Sequence, residues 1–118
     1  MAANPVPPNT RMRLSIEKKA DETVVRLSGR ITSDTSGELQ STIRSLIPET
    51  KRIVMDMTGV DYIDSSGIGA LVSVYLSASR VQCGLQLANP QPRIRDLFEM
   101  SRLTAVFESR GGYRGLDS

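Results

Sequence analysis

A short apolar run at Arg52–Met57, RIVMDM, is bounded on both sides by turn signals. A strand of that kind is one covered on both faces, which makes it central to its sheet. After a loop predicted over Thr58–Ile63 comes the cleanest helical pattern of the chain. Ile68, Leu71, Val72, Tyr75 and Leu76 mark one apolar stripe from about Ser65 to Ser79, and the other side is small and polar. Short strands alternating with helices signal a mixed α/β domain.

The flanking segments fit that class. Leu14–Lys18 and Thr23–Leu27 read as strands, joined by a hairpin turn over Lys19–Glu22, so they are expected to be antiparallel neighbours. Thr35 and Glu38 have capping-box spacing, and Leu39, Ile43, Leu46 and Ile47 recur with the helical period. That helix is expected to run to about Ile47 and to end at Pro48. Gly84–Ala88 reads as a further strand. Asn89 then serves as N-cap with Pro90 at the first helical position, opening a helix that turns Ile94, Leu97 and Phe98 inward. Leu103–Phe107 is expected to add a last edge strand or turn.

Composition narrows the function. At 118 residues and 39% hydrophobic, the chain fits one domain. A domain of this size buries roughly two thirds of the surface its unfolded chain exposes, without needing disulfides or a metal. Its single Cys83 forms no internal bridge and is expected to pack as a small apolar residue near a strand start. With no histidine, the commonest partner of a Ser or Cys nucleophile and the commonest zinc ligand are both missing, which argues against serine-hydrolase and zinc chemistry.

The net charge of +2 is not gathered into a basic face: from Pro90 onward five arginines are set against four acids. Three tyrosines and two phenylalanines leave little to stack on bases, so direct nucleic-acid binding is not expected. No stretch approaches the roughly 18 apolar residues of a membrane span. The first residues hold three of the six prolines and the last nine hold three of the nine glycines. The expected organisation is a flexible Pro-rich tail over 1–11, a domain over 12–109 and a flexible Gly-rich tail over 110–118. With neither signal peptide nor disulfide, a cytoplasmic location is expected.

Three candidate chemistries fall between Asp56 and Gly69. Asp56 follows an apolar strand, a place where a carboxylate can accept a phosphoryl group beside a metal. A phosphohydrolase wants a second carboxylate two residues on, where Thr58 stands, so a turn or cap role is the simpler reading. Gly67 and Gly69 make half of a dinucleotide fingerprint, but Val72 stands at its third glycine and no acid lies about 20 residues on. Close packing of the helix start, on the sheet or on a partner, explains them as well. The third feature is Asp64-Ser65-Ser66-Gly67 at the helix start, where backbone N–H groups lack partners and negative charge is favoured. One residue is enough for the cap, so a further hydroxyl is left for modification or for a partner.

The run VDYIDSSGIGALVSVY resembles the signature of STAS-domain proteins, specifically the bacterial anti-sigma factor antagonists. VVRLSGRIT, RIVMDMTGVDYID and ANPQPRIRDLFEMSRL are similar to other stretches of that family, so the likeness spans about Arg13 to Phe107. It implies a single α/β domain with a mixed central sheet of four to five strands and helices packed mainly on one face. It also implies a partner-switching phosphoprotein of transcription regulation rather than an enzyme, with no cofactor. In this family the serine directly after the motif Asp, here Ser65, is phosphorylated by a partner that is both anti-sigma factor and serine-protein kinase, and a metal-dependent serine phosphatase reverses the step. Unphosphorylated, such an antagonist binds the anti-sigma factor and releases the sigma factor. Asp64, Ser66, Gly67, Ile68 and Gly69 are then the partner-binding residues, joined by the turn Gly29–Ser33 that contains Thr32. The chain departs from the family's pattern at Thr32, where relatives often carry an acid, and at Arg102, where they often carry glycine. The alternative function is an accessory or scaffold STAS module of a transport or signalling complex.

Overall fold

The computed structural model describes residues 12–100 and 113–114. The chain starts with β1 (Arg13–Lys18) and β2 (Glu22–Ile31), continues through α1 (Ser36–Leu46) and a 3-10 turn over Ile47–Glu49, and enters β3 (Arg52–Ile63). It then forms α2 (Ser65–Arg80), β4 (Gly84–Ala88), α3 (Pro92–Met100) and β5 (Tyr113–Arg114). The sheet order is β1-β2-β3-β4-β5, with β1 antiparallel to β2 and all other neighbours parallel. β3 is central, as its apolar run requires.

Alternation along the strands sorts the side chains. Val25 and Leu27 of β2, Ile53, Met55 and Met57 of β3, and Leu85 and Leu87 of β4 share one core with Leu39, Ile43 and Leu46 of α1. Ala70, Leu71, Val74, Tyr75 and Ala78 of α2 and Ile94 and Phe98 of α3 enter the same core, so the helices pack on one face. Val24, Val54 and Ala88, offset by one position, form a small second cluster. Arg44 Nη2 donates to Ser73 Oγ at 2.6 Å, tying α1 to α2 at the surface. On β1 and β2, Arg26 donates to Glu17 Oε1 at 2.8 Å. That bond, helped by the charge of Lys19, holds the Glu17 carboxyl below its ordinary range.

Several sequence expectations need correction. Thr58–Ile63 is not a loop but the second half of β3, pairing with β2 through Ser28↔Gly59, Gly29↔Val60, Arg30↔Tyr62 and Ile31↔Ile63. Two register shifts interrupt the ladder there, and such bulges break the alternation that marks a strand in sequence. Gly29 meets one of them at φ 92°, a conformation costly to any residue with a Cβ. α1 does end where expected, at Leu46, with Pro48 just beyond it. Its last turn tightens into the 3-10 turn, which holds the proline near its start, where a missing N–H costs little.

α3 opens on Pro92 rather than Pro90. Asn89 sits at φ 56° as a left-handed turn residue, and the first bond of the helix runs from Arg95 N to Gln91 O. The buried face of α2 is also rotated from the predicted stripe: Leu76 is 49% exposed, while Gly67, Ala70 and Ala78 face inward. Leu103–Phe107 lies outside the described residues. β5 falls within the stretch whose glycines suggested a loose end.

Candidate functional site

The site is assembled where β2 and β3 end side by side. Ile31 pairs with Ile63, and the Asp64 N–H donates to the Ile31 carbonyl at 3.2 Å, so the start of α2 is tied to the end of β2. Asp64 is the N-cap of α2: its backbone is extended, its Oδ1 accepts from Gly67 N at 3.0 Å, and its carbonyl accepts from Ile68 N at 3.0 Å. The carboxylate thereby satisfies one donor that the helix start cannot pair by itself.

Ser65 and Ser66 occupy the first two helical positions and both are exposed. Among the described residues neither hydroxyl has a hydrogen-bond partner. Because Asp64 does the capping, both hydroxyls remain available at the positive end of a helix of 16 residues.

The two glycines differ. A Cβ on Gly67 would lie 2.5 Å from the Ile31 carbonyl oxygen and 2.6 Å from Ile63 Cγ1. Only glycine lets the first turn of α2 settle onto the ends of β2 and β3. Gly69 is exposed, and a Cβ there would meet nothing within 4 Å. The sequence reading, which set both glycines against the sheet or a partner, holds on the sheet side for Gly67 alone. Ile68, between them, is partly buried against the core.

Thr32 opens the turn into α1, directly after the residue that anchors Asp64. Its carbonyl accepts from Thr35 N at 3.0 Å and Ser36 N at 2.8 Å, its N–H donates to Thr35 Oγ1 at 2.9 Å, and its own hydroxyl accepts from Asp34 N at 3.2 Å. The Thr35–Glu38 capping box does not form. Thr35 has helical φ and ψ, and its hydroxyl turns inward to donate to the Arg30 carbonyl at 3.0 Å. Thr32 and the start of α2 are therefore brought together, with Ser33 and Asp34 exposed beside them.

The other candidates are accounted for by the chain itself. Asp56 Oδ1 accepts from Thr58 N at 3.0 Å and Thr58 Oγ1 at 2.6 Å, bracing the first bulge of β3, and Arg26 Nε lies 3.9 Å from Oδ2. That is the turn role expected of it. Cys83 is buried at the start of β4, with its Sγ 3.6 Å from the carbonyls of Thr50 and Gly84, and burial pushes the thiol up. Arg102 lies outside the described residues.

One feature escaped the sequence reading. Arg30 stacks over the Tyr62 ring at 4.2 Å from its centroid, one residue before the Ile31–Ile63 pair. Once Thr58–Ile63 is taken as a loop, nothing sets these two side chains opposite each other. The same β3 register that corrects the loop reveals the pair.

A family model described as the STAS domain matches residues 13–114, and the chain belongs to that family. It is similar to the putative anti-sigma factor antagonist BtrV of Bordetella bronchiseptica, 27% identical over 97 residues that cover 81% of this chain and 84% of that one. The anti-sigma-B factor antagonist of Listeria monocytogenes is 29% identical over 101 residues, covering 82% of this chain and 89% of its own. Among solved structures, the fold is similar to that of the anti-sigma factor antagonist SpoIIAA in its unphosphorylated form, with a TM-score of 0.73, 20% identity and 90% of each chain covered. Among the described residues, no helix is long and apolar enough to cross a membrane.

Proposed function

We propose that this protein is an anti-sigma factor antagonist switched by phosphorylation at Ser65. The observation that carries the reading is the division of labour at the start of α2: Asp64 supplies the cap, and Ser65 presents an exposed hydroxyl with no structural task. The antagonists among its relatives support the partner class. In this reading the unphosphorylated chain binds an anti-sigma factor that is also a serine kinase. The contact surface comprises Asp64, Ser66, Gly67, Ile68 and Gly69 together with Thr32. A serine phosphatase restores the binding form, and the exchange takes place in the cytoplasm. The chain is the substrate of both enzymes and performs no catalysis itself.

The switch needs no refolding. A phosphate on Ser65 adds about −1.5 to −2 charges at a helix N-terminus, which the helix dipole tolerates. A partner seated there would have to bury that charge beside Asp64. An interface penalty of about 3 kcal/mol weakens binding roughly a hundredfold.

The test is affinity capture from the host's lysate with Ser65→Ala and Ser65→Asp as baits. Retention of a kinase-like anti-sigma factor by the Ala form, and its loss by the Asp form, is the expected result. If both forms retain the same transporter or scaffold proteins, Ser65 is no switch and the accessory-module reading takes its place. The Ser65→Asp chain is expected to melt within a few degrees of the unaltered one, and a collapsed fold would remove the basis for a purely local switch.

A further inference from the structure

Among the described residues, β1 pairs only with β2, and no strand occupies its outer edge. Five of its six residues are exposed and Leu14 is half-buried. Ile16 keeps 45% of its surface in solvent. Such an edge offers unpaired backbone N–H and C=O groups to another strand. Leu14 and Ile16 stand opposite Leu27 and Val25, on the helix-covered face, and Arg13, Ser15 and Glu17 lie on the other face.

We propose that a second copy of this chain occupies the edge, the two β1 strands pairing antiparallel about a two-fold axis at Ser15. Charge and apolar pattern select that register. About Ser15, Arg13 faces the partner's Glu17 and Leu14 faces the partner's Ile16, and symmetry makes each contact twice. An axis at Ile16 instead sets Leu14 against the partner's Lys18, and Arg13 against the partner's Lys19. An axis at Leu14 leaves Ile16, Glu17 and Lys18 beyond the end of the partner's strand. An axis between Ser15 and Ile16 would oppose residues of opposite faces, Arg13 to the partner's Lys18 and Leu14 to the partner's Glu17, which antiparallel pairing does not allow. Of these registers only the axis at Ser15 joins opposite charges on one face and apolar side chains on the other.

The pairing keeps the helices of both copies on one side of a continuous sheet. Glu17 accepts from Arg26 through Oε1, so its second oxygen is open to the partner's Arg13. β2 separates β1 from β3 and the start of α2, so each copy keeps its Ser65 face open and the inference stands apart from the proposed function.

Sedimentation equilibrium of the full chain from about 10 µM to about 1 mM tests the contact, a range suited to a small interface. The average mass is expected to rise from that of one chain toward twice that value. Arg13→Glu and Glu17→Arg each set like charges opposite one another twice, and each is expected to weaken the dimer at least about tenfold. An equimolar mixture of the two variants has opposite charges at both contacts and is expected to recover the dimer. An unaltered chain that stays monomeric throughout overturns the proposal and leaves the edge to another polypeptide or to solvent. Single variants that dimerise as well as the unaltered chain, or a mixture no better than its parents, overturn it too. Circular dichroism checks that each variant folds. Should either fail, Ile16→Lys at its exposed position takes its place, and an unweakened dimer there counts equally against the proposal.

Discussion

α1 and α2 both start from the carboxyl ends of neighbouring parallel strands, yet they use their hydroxyls in opposite ways. At α1 the Thr35 side chain is 4% exposed and fully engaged: it accepts from Thr32 N and donates to the Arg30 carbonyl. At α2 a carboxylate one residue before the helix takes the structural bond, and the hydroxyls of Ser65 and Ser66 stay in solvent. A hydroxyl that secures a turn cannot be presented to another protein. α2 can offer one because Asp64 relieves it of that work.

The largest effect expected is at Gly67, whose replacement would separate the two helix starts. A methyl group there meets the Ile31 backbone oxygen at 2.5 Å, and backbone cannot swing away as a flexible side chain can. Gly67→Ala is expected to cost about 3 kcal/mol, near the upper end for overpacking, and to lower the melting temperature by more than about 10 °C. A drop below about 2 °C in a calorimetric scan would mean that α2 does not need its close seat on β2 and β3.

Thr35→Val comes next. The side chain keeps its volume, but the Thr32 N–H and the Arg30 carbonyl lose a partner in a part-buried turn. The expected loss is about 2 kcal/mol, read from urea unfolding. A neutral substitution would show that the inward hydroxyl is incidental and would erase the contrast with α2.

How much of this was legible in the sequence follows from which interactions are local. The apolar run of β3 and the cap at Asp64 rest on neighbours within a few residues, and both can be read directly. The second half of β3 cannot, because its two bulges set Met57, Val60 and Ile63 three residues apart on the inward face instead of two or four. The inward face of α2 is hidden in the sequence because Gly67, Ala70 and Ala78 carry little hydrophobic signal, although small side chains let a helix lie close to a sheet. Gly67 and Gly69 look alike in sequence. Only the neighbourhood of Ile31 and Ile63 tells them apart. The spacing of Thr35 to Glu38 predicts a cap, whereas the Thr32 N–H claims the Thr35 hydroxyl oxygen and the Arg30 carbonyl five residues back accepts its proton.

Two substitutions of intermediate size sharpen the picture of α2. Asp64→Ala removes the acceptor for the Gly67 N–H and is expected to cost about 1 kcal/mol, as for other lost N-caps. Its Ser65 and Ser66 neighbours are already helical and cannot take over the cap, so a smaller loss would mean that water replaces the carboxylate at no penalty. Gly69→Ala has the opposite sign. With open space around the new methyl group and a glycine's backbone freedom removed, it is expected to stabilise the chain by about 0.5–1 kcal/mol. A destabilised variant would reveal a backbone demand at that position that its helical placement does not explain.

The smallest expected effect is the most discriminating. Ser65→Ala removes a hydroxyl that has no hydrogen-bond partner among the described residues, at an exposed first helical position, and leaves the Asp64 cap intact. Surface changes of this kind stay within about 0.5 kcal/mol, so the unfolding midpoint is expected to be indistinguishable from that of the unaltered chain. Thr35→Val, which also removes one hydroxyl beside a helix start, is expected to cost several times more. If Ser65→Ala instead destabilises as much as Asp64→Ala, the serine shares the capping work and is not free. The two helix starts would then differ in the identity of the cap and not in what they leave exposed, and a phosphate on Ser65 would disturb the fold as well as the interface.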